Sequence, residues 1–335
     1  MNSFLHSKLL HNLTSKIPIR NNNSILLAIS CGQDSLCLLK LFIDLQHIFK
    51  IDLGVVHIDH QWRQDTTQNT EHMLHIVKKT QCPLYLYQLK PKQYSETEFR
   101  DMRYQIYINT ATNYKYDVIA TAHTLSDRTE TCLMNLLKGS CVDQLNSLRW
   151  QRDLSPGIKL IRPLLNFTRT EINWFCKYYK LPIWFDYTNI YYSNNRNRIR
   201  HEIIPYLKQY YQIDIEKNIN IFLDRSHCET EYLRQITIKI YFLIKHPNYV
   251  AFKYKSLLKQ HKCIQIRVLH LFIIHNTGVQ CNYDILDQIL LKLNHTKELD
   301  IINNKIIIQI DKDWAYFMLN KTGLPQKTTR RKSLA

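Results

Sequence analysis

Residues 24–42 read SILLAISCGQDSLCLLKLF, and this stretch decides the fold. Residues 25–29 form a short apolar run typical of a strand buried on both faces, and residues 36–42 repeat apolar side chains at helical spacing. The polar turn between them leaves the first backbone N–H groups of the helix unpaired, and with the helix dipole these attract an anion such as phosphate. The stretch therefore predicts an α/β domain with an anion site at this turn.

The side chains of this turn suit a bound anion. Ser30 and Ser35 supply hydroxyl donors, and Gly32 allows the backbone to approach a ligand closely. Asp34 can cap the helix or hold a magnesium ion that is bound to the phosphates. Because the turn contains no lysine, it is not a Walker A loop.

The turn resembles the S-G-G-x-D-S loop of the ATP pyrophosphatases, which split ATP into AMP and diphosphate while activating a substrate oxygen. The resemblance implies that six residues bind ATP, namely Ser30, Cys31, Gly32, Gln33, Asp34 and Ser35. Cys31 stands where the family usually has its first glycine. If this position needs a positive φ, its Cβ atom costs on the order of 1 kcal/mol, which weakens ATP binding without abolishing it. The alternative is an unrelated α/β turn with polar residues.

Length and composition favour a basic protein of several domains. The chain has 335 residues, enough for two or three domains, and 45 Lys and Arg against 28 Asp and Glu give a net charge of +17. This excess favours an anionic partner such as a large nucleic acid, although it also occurs as a solubility or membrane-surface feature. Nine cysteines without a C-x-x-C pair are typical of reduced thiols rather than of a zinc site or a disulfide framework.

The composition also bears on location. No apolar stretch approaches the ~18 residues of a membrane span, and no signal-peptide core is seen, so no membrane association is expected. Six glycines and an abundance of Asn, Ile, Lys and Tyr indicate an AT-rich genome, as in plastids and reduced bacteria. The chloroplast stroma is the favoured location, and a bacterial cytoplasm is the alternative.

A second buried strand is predicted over residues 53–59, which completes a β-α-β unit. Ligands of such units bind at the carboxyl ends of the parallel strands, where His57, Asp59 and Arg63 lie. These residues resemble the family's H-V-D-H-x-L-R segment, with Trp62 in place of leucine. A hydrogen-bonded loop histidine is the alternative to a ligand contact.

A third strand is predicted over residues 84–89, followed by a helix that opens with a capping box at residues 95–98. Arg100 and Arg103 lie three residues apart on that helix, so they share a face and can meet the same polyanion. The helix resembles the family's E-x-x-A-R-x-x-R-Y segment, with Phe99 in place of alanine. A solvated helix face is the alternative reading of both arginines.

A fourth strand is predicted over residues 117–122 and a helix over residues 132–138. Asp127 and Glu130 lie one helical turn apart at the helix start, at the carboxyl edge of the sheet. Paired acids there can take a proton, bind magnesium or only favour the helix dipole. Together with His123 they resemble the family's A-H-x-x-x-D-x-x-E-T motif.

An arginine run follows in the segment NRNRIR, which contains Arg196, Arg198 and Arg200. With residues 186–189 and Pro205, it resembles the D-x-T-N…R-N-R-I-R…P segment of the tRNA(Ile)-lysidine synthetases. Alternating arginines usually face phosphates at a surface and only seldom form an internal ion-pair network. The run therefore predicts an RNA-binding surface.

The rest of the chain gives coarser predictions, which are a long helix at 213–246, further helices at 249–293, a closing hairpin at 305–318 and a basic tail at 327–332. The predicted fold class is α/β: a parallel-sheet, Rossmann-like ATP pyrophosphatase domain, a helical linker and a smaller C-terminal domain. The predicted bounds are 1–206 for the catalytic domain, 207–247 for the linker helix, 248–325 for a tRNA-associated domain and 326–335 for the basic tail.

Over residues 20–206 the order and spacing of these segments resemble those of the tRNA(Ile)-lysidine synthetase family. The resemblance implies that ATP adenylates the C2 oxygen of the wobble cytidine in a tRNA(Ile) with a CAU anticodon, after which the ε-amine of free lysine displaces AMP. It implies ATP and Mg²⁺ as cofactors and tRNA and lysine as partners, and a homodimer stays open. A carboxylate must accept the lysine proton, and Asp127 is the candidate.

Residue by residue, the resemblance implies three groups. The catalytic residues are Asp34, Arg103, Asp127 and Glu130, and Asp34 is also the metal ligand. The residues that contact ATP beside the turn are His57, Asp59 and His123. The residues that contact tRNA are Arg63, Arg100, Arg196, Arg198 and Arg200.

Two other functions are weighed against this one. A tRNA thiolase with the same ATP loop would deliver sulfur through paired cysteines or an iron–sulfur cluster, and the lack of a C-x-x-C pair argues against it. A tRNA-binding protein with a decayed ATP site would explain Cys31. Asp34, Asp127 and Glu130 are all retained, however, which argues against decay.

Overall fold

A computed structural model of the chain describes residues 3–17, 19, 23–59, 66–89, 95–184, 195–293, 295–296, 298–301 and 306–319. The chain divides into two compact units, Met1–Ser226 and His227–Ala335. The division falls within the helix Ile215–Ile244, which confirms the long helix predicted in this region. The predicted domain bounds themselves stay predictions.

The first unit is built on a six-stranded sheet. Its strands are β1 Ser24–Ala28, β2 Asp52–Asp59, β3 Leu84–Gln88, β4 Val118–Thr121, β5 Gln151–Ser155 and β6 Ile158–Ile161. Their order across the sheet is β3-β2-β1-β4-β6-β5, and every pair is parallel except the antiparallel pair of β5 with β6. The predicted parallel α/β sheet is confirmed, and the carboxyl ends of β1, β2 and β4 lie together at one edge.

Helices cover both faces of this sheet. They are α1 Phe4–His11, α2 Gln33–Phe49, α3 Thr66–Lys78, α4 Glu96–Asn113, α5 Leu125–Leu137, α6 Val142–Leu145, α7 Arg169–Tyr178, α8 Asn195–Arg198 and α9 Ile204–Tyr210, with π-helical turns at Asn12–Lys16 and Ile199–Ile203. Residues of α1, α2, α3 and α7 pack with Ile25 and Leu27 in one core, and residues of α4 pack with Leu26 in another. The alternation along β1 is that of a strand covered on both faces.

Two elements differ from the predictions. α5 begins at Leu125, seven residues before the predicted start, because Thr124 and Asp127 form a capping box that extends the helix toward the sheet. The edge strand β5, with the sequence QRDLS, was not predicted, because it is mostly polar and exposed and so lacks the apolar pattern of a buried strand.

The second unit combines helices with a small antiparallel sheet. Its helices are the end of α10 (Ile215–Ile244), α11 Tyr254–Leu258, α12 Lys262–Thr277 and α13 Tyr283–Lys292, and its strands are β7 Ala251–Lys253, β8 Glu298–Ile301, β9 Ile306–Asp311 and β10 Trp314–Leu319. The strand order is β7-β10-β9-β8, and the predicted closing hairpin is the pair β9–β10. The predicted basic tail lies outside the described residues. None of the helices in the described ranges is long and apolar enough to span a membrane.

Candidate active site

A cleft of about 820 Å³ opens where β1, β2 and β4 end. Its other walls come from α4, from the start of α7 and from the π-helical turn after α8. Of the residues predicted for the site, those that line it are Ser30, Gly32, Gln33, Asp34, Ser35, Arg103, His123 and Arg200. The sheet edge predicted to bind ligands thus carries a cavity large enough for a nucleotide.

The phosphate loop, residues 30–35, leads into α2 at this cleft. Gly32 is the N-cap of α2, and no side chain caps its first N–H groups. Ser35 ties the loop together, because its Oγ donates to the carbonyl oxygen of Gly32 at 2.8 Å and accepts from the backbone N–H of Ser30 at 3.2 Å. A helix of 17 residues therefore presents an uncapped positive end to the cleft, as the sequence predicted.

Cys31 has a left-handed backbone conformation, with φ at 61°, as would be needed if a glycine usually stands at this position. Its side chain is fully buried in the larger core, and burial raises the pKa of its thiol to about 12. Its carbonyl oxygen accepts from the backbone N–H of Trp184 at 3.1 Å. A Cβ atom on Gly32 would meet only Ser30 Oγ among the described atoms, at 3.5 Å, so the glycine leaves the turn open to a ligand.

Asp34 is the predicted acid that reaches the cleft. Burial, followed by the negative charge of Asp127, raises its pKa to about 6. The positive charges of Arg169 and Arg200 oppose that rise without cancelling it. A carboxylate so poorly compensated favours a bound cation.

Asp127 and Glu130 do not line the cleft but form a cluster with two arginines from the run at 196–200. Arg196 donates from Nε to Glu130 at 2.7 Å and from Nη2 to Asp127 at 2.8 Å. Arg200 donates from Nε to Glu130 at 2.6 Å and from Nη2 to Asp127 at 3.3 Å. The other oxygen of Asp127 accepts from the backbone N–H and the hydroxyl of Thr124, at 2.8 and 2.9 Å. We call Asp127, Glu130, Arg196 and Arg200 the carboxylate cluster.

This geometry corrects one expectation. Arg196 and Arg200 form an internal ion-pair network, the less usual of the two arrangements that the run allows, because they are four residues apart and both meet the acids of α5. Arg198 points away, is 60% exposed and pairs with Glu202 at 3.6 Å. RNA contacts by these arginines stay predictions.

The carboxylate cluster also bears on the predicted proton acceptor. Burial acts to raise the pKa of Asp127, but Arg196, the Thr124 N–H and Arg200 outweigh it, and the pKa is lowered. A carboxylate with a lowered pKa and occupied oxygens is a weak base. The contacts therefore give no support to Asp127 as the acceptor of the lysine proton, and that role stays a prediction.

The two described histidines predicted to contact ATP are neutral. His57 Nδ1 donates to the carbonyl oxygen of Ile29 at 2.8 Å, and burial lowers the pKa of His57. His123 lines the cleft, and burial together with Arg162 lowers its pKa to about 3. His57 thus joins β2 to the end of β1, whereas His123 can offer an uncharged hydrogen bond to a ligand.

Some cleft residues were not predicted from the sequence. They are Tyr104, Tyr107, Arg169, Thr170, Asn173, Trp184 and His201. Arg169 could have been predicted as an anion-binding residue, because it follows the predicted N-cap Thr168 and anions bind at helix starts. Of the remaining predicted residues, Asp59 is buried, accepts a hydrogen bond from Gln88 and does not line the cleft. Arg63 lies outside the described residues.

Three comparisons with known proteins agree with this geometry. The family of PP-loop domains matches residues 2–207. A chloroplastic tRNA(Ile)-lysidine synthase from Gracilaria tenuistipitata var. liui is 40% identical over 316 residues, which cover 94% of this chain and 98% of that protein. A tRNA(Ile)-lysidine synthase from Synechocystis sp. is 31% identical over 324 residues, again covering 94% of this chain and 98% of that protein.

A solved structure supports the fold alone. The U34-tRNA thiolase NcsA from Methanococcus maripaludis superposes with a TM-score of 0.54 at 15% identity, over 65% of this chain and 77% of that chain. At this identity the likeness says nothing about the reaction. The sequence matches indicate the kind of enzyme, since they extend over nearly the whole chain. The chain therefore belongs to the tRNA(Ile)-lysidine synthase family, a group of tRNA-modifying ligases, and carries its PP-loop domain.

Proposed function

We propose that this protein uses ATP to ligate lysine to C2 of the wobble cytidine in a tRNA(Ile) with a CAU anticodon. In the first step the cytidine O2 bonds to the α-phosphorus of ATP and diphosphate leaves. In the second step the ε-amine of lysine bonds to C2, AMP leaves with that oxygen, and the amine loses a proton. The product is lysidine, which changes the tRNA from methionine to isoleucine identity.

The observation that carries this proposal is the phosphate loop at the cleft. The N–H groups at the uncapped start of α2 can donate to phosphate oxygens, and Ser30 adds a hydroxyl beside them. Ser35 donates its proton to the carbonyl oxygen of Gly32 and so holds the loop in shape. His123 is neutral and can accept or donate one hydrogen bond at the same cavity. These groups suit ATP, whose charge lies on its phosphates.

Magnesium fits the same site through Asp34. No three His, Cys, Asp or Glu side chains of the described residues are placed to hold a metal ion together. Asp34 would therefore supply one oxygen, and phosphate oxygens and water the others, which is how Mg²⁺ is commonly held. The bound ion would neutralise phosphate charge.

Arg200 joins the carboxylate cluster to the cleft. It lines the cavity while its guanidinium is held by Asp127 and Glu130. We propose that the two acids are positioning residues, which orient Arg200 toward the negative charge of the phosphates. The proposed RNA contacts remain Arg63, Arg100, Arg196, Arg198 and Arg200.

The plastid stroma is the proposed location, because a similar enzyme is chloroplastic. A homodimer remains a prediction. A thiolase reaction gains no support, because the one structural likeness to a thiolase concerns the fold alone.

The proposed reaction is tested with the purified chain, ATP, lysine and an unmodified tRNA(Ile) transcript. Diphosphate release should need the tRNA but not lysine, whereas AMP release and lysidine formation should need both. A transcript with uridine at the wobble position is the control and should support neither step. Diphosphate release without tRNA, or sulfur transfer to the tRNA, would contradict the proposal.

A further inference from the structure

Three arginines from three elements surround Tyr104, a residue of α4 that lines the cleft. The guanidinium carbon of Arg152, on the edge strand β5, lies 4.7 Å from the centre of the Tyr104 ring, and that of Arg100 lies 5.9 Å from it. Arg162, directly after β6, acts on the tyrosine through its charge. Burial alone would raise the pKa of Tyr104, but the three positive charges and a hydrogen bond with Arg162 outweigh it and lower the pKa. Positive charge from three side chains therefore favours an anion beside Tyr104.

Arg162 is the buried centre of this group and is 0% exposed. Its Nη1 donates to the carbonyl oxygen of Arg149 at 2.7 Å, and its guanidinium also interacts with the Tyr104 hydroxyl. Its Nε and Nη2 make no hydrogen bond of good geometry with the described residues. The Nε of Arg103, on the cleft wall, is also buried without an acceptor there. Buried donors on charged groups are costly to leave unpaired, so an incoming acceptor would remove that cost.

Among the described residues, no carboxylate forms an ion pair with these side chains. The ion pairs found in the described part of the chain take up the arginines of the carboxylate cluster, Arg128, Arg169, Arg198 and Arg234. None of them involves the group that we call the arginine site, which consists of Arg100, Arg103, Arg152 and Arg162. Three guanidinium groups thus surround Tyr104, and Arg103 lies on the same helix at the cleft wall. None of the four has a carboxylate partner among the described residues.

We propose that the arginine site binds a backbone phosphodiester of the RNA strand next to the base that enters the cleft. Arg152 and Arg100 are exposed and would contact the phosphate oxygens, Arg103 would donate from the cleft wall, and Arg162 supplies charge from behind. The inference rests on the proposed function, because tRNA is the polyanion that it assigns. It adds Arg103, Arg152 and Arg162 to the RNA-binding residues.

Phosphate oxygens could also come from ATP. The phosphate loop already offers an uncapped helix end for the nucleotide, on the segment after β1, whereas the arginine site lies on α4, β5 and the end of β6. Its outer members are open to solvent, where the backbone of a macromolecule can reach them. Guanidinium groups are also the common partners of nucleic-acid phosphates. RNA is therefore the assigned source.

The test measures the affinity of the full chain for a tRNA(Ile) transcript at several salt concentrations, and its affinity for ATP. Arg152→Gln should lower RNA affinity several-fold at low salt and reduce the slope of log affinity against log salt by about 0.7. Arg152→Lys keeps the charge and should retain the slope. Lys138→Gln, which removes one exposed charge after the last residue of α5, is the control and should leave the slope unchanged.

ATP affinity should be the same in all four proteins. An unchanged slope in Arg152→Gln would overturn the arginine site, even if the wild type forms lysidine normally. A loss of ATP affinity in Arg152→Gln, with or without a change in slope, would assign the phosphate to the nucleotide instead. Absence of lysidine formation by the wild type would refute the proposed function, which the salt slopes do not test.

Discussion

Cys31 holds a backbone conformation that suits glycine, and its side chain is buried, so two effects oppose each other at one residue. The left-handed conformation costs a residue with a Cβ about 1–2 kcal/mol. The buried thiol contributes packing in return. Replacement of Cys31 therefore separates strain from packing only if two variants are compared.

Cys31→Gly should be about 1 kcal/mol more stable than Cys31→Ala, because both variants lose the sulfur but only alanine keeps the strained Cβ. ATP should bind to Cys31→Gly at least as tightly as to the wild type. Urea unfolding and ATP titration measure the two quantities. Equal stability of the two variants would mean that the positive φ carries no cost here.

Asp34, a residue of the cleft, lowers the stability of the folded protein when its carboxylate is charged. Its pKa is raised from 3.8 to about 6, so the folded state binds the proton more tightly than the unfolded state does. The free energy of unfolding therefore falls as the pH rises from 3.8 through about 6. Above that range the total loss is about 3 kcal/mol, because the two pKa values differ by roughly two units.

Asp34→Asn should recover most of this loss in the absence of ATP and metal. We expect it to raise the free energy of unfolding by about 3 kcal/mol at pH 7.5 and by only about 1 kcal/mol at pH 4.5. The same variant should bind ATP with magnesium more weakly. Urea unfolding at the two pH values is the measurement, and a gain that is equal at both would show that burial does not raise the pKa of Asp34.

At the scale of elements, the carboxylate cluster links α5 to the segment after α8. The capping box at Thr124 fixes the start of α5, and the four-residue spacing of Arg196 and Arg200 places both guanidinium groups against Asp127 and Glu130. Removal of one partner from a buried network leaves charge uncompensated and typically costs 3–5 kcal/mol. The cluster should therefore affect both stability and reaction.

Asp127→Asn keeps the shape and removes the charge, so it should destabilise the protein by about 3 kcal/mol. Because Arg200 would lose its orientation, diphosphate release and lysidine formation should fall together. Asp214→Asn, which removes an exposed partner of Lys217, is the control and should change stability by less than about 1 kcal/mol. Accumulation of adenylated tRNA by Asp127→Asn would instead support Asp127 as the proton acceptor of the second step.

The sequence predicted the elements whose signal is local. The strands β1, β2, β3 and β4 are apolar runs bounded by turns, and the N-caps Ser95 and Thr168 begin helices as expected. The phosphate loop is also local, and its uncapped helix start was predicted. β5 was missed because an exposed edge strand needs no apolar pattern.

The partners within the site could not be predicted, because they depend on how distant segments approach each other. The pairs of Arg196 and Arg200 with the acids of α5 join residues about 70 positions apart in the chain. Their sequence pattern is the same for a surface run and for an internal network. The sequence did not mark Arg152 and Arg162 as site residues for the same reason: the pairing of β5 with β6 brings them to Tyr104.

At the scale of the whole molecule, each of the two units has its own hydrophobic core. The larger core of the first unit includes Leu27 and Phe42, and the core of the second unit includes Phe252, Phe272 and Phe317. A unit with its own core can unfold in its own transition, so a chain of this kind is not expected to be two-state. ATP provides a way to tell the transitions apart, because the phosphate loop lies in the first unit.

Calorimetry of the full chain should show two transitions, of which ATP with magnesium shifts only one. At about one hundred times the dissociation constant, a ligand stabilises the unit that binds it by about 2.7 kcal/mol, which corresponds to roughly 5–10 °C for a unit of this size. In Ser35→Ala, which removes the hydroxyl that ties the phosphate loop, ATP should shift neither transition. A single transition that moves as a whole with ATP would show that the two units unfold together. The long helix Ile215–Ile244 spans the division between the units, so it would then be the element that couples their unfolding.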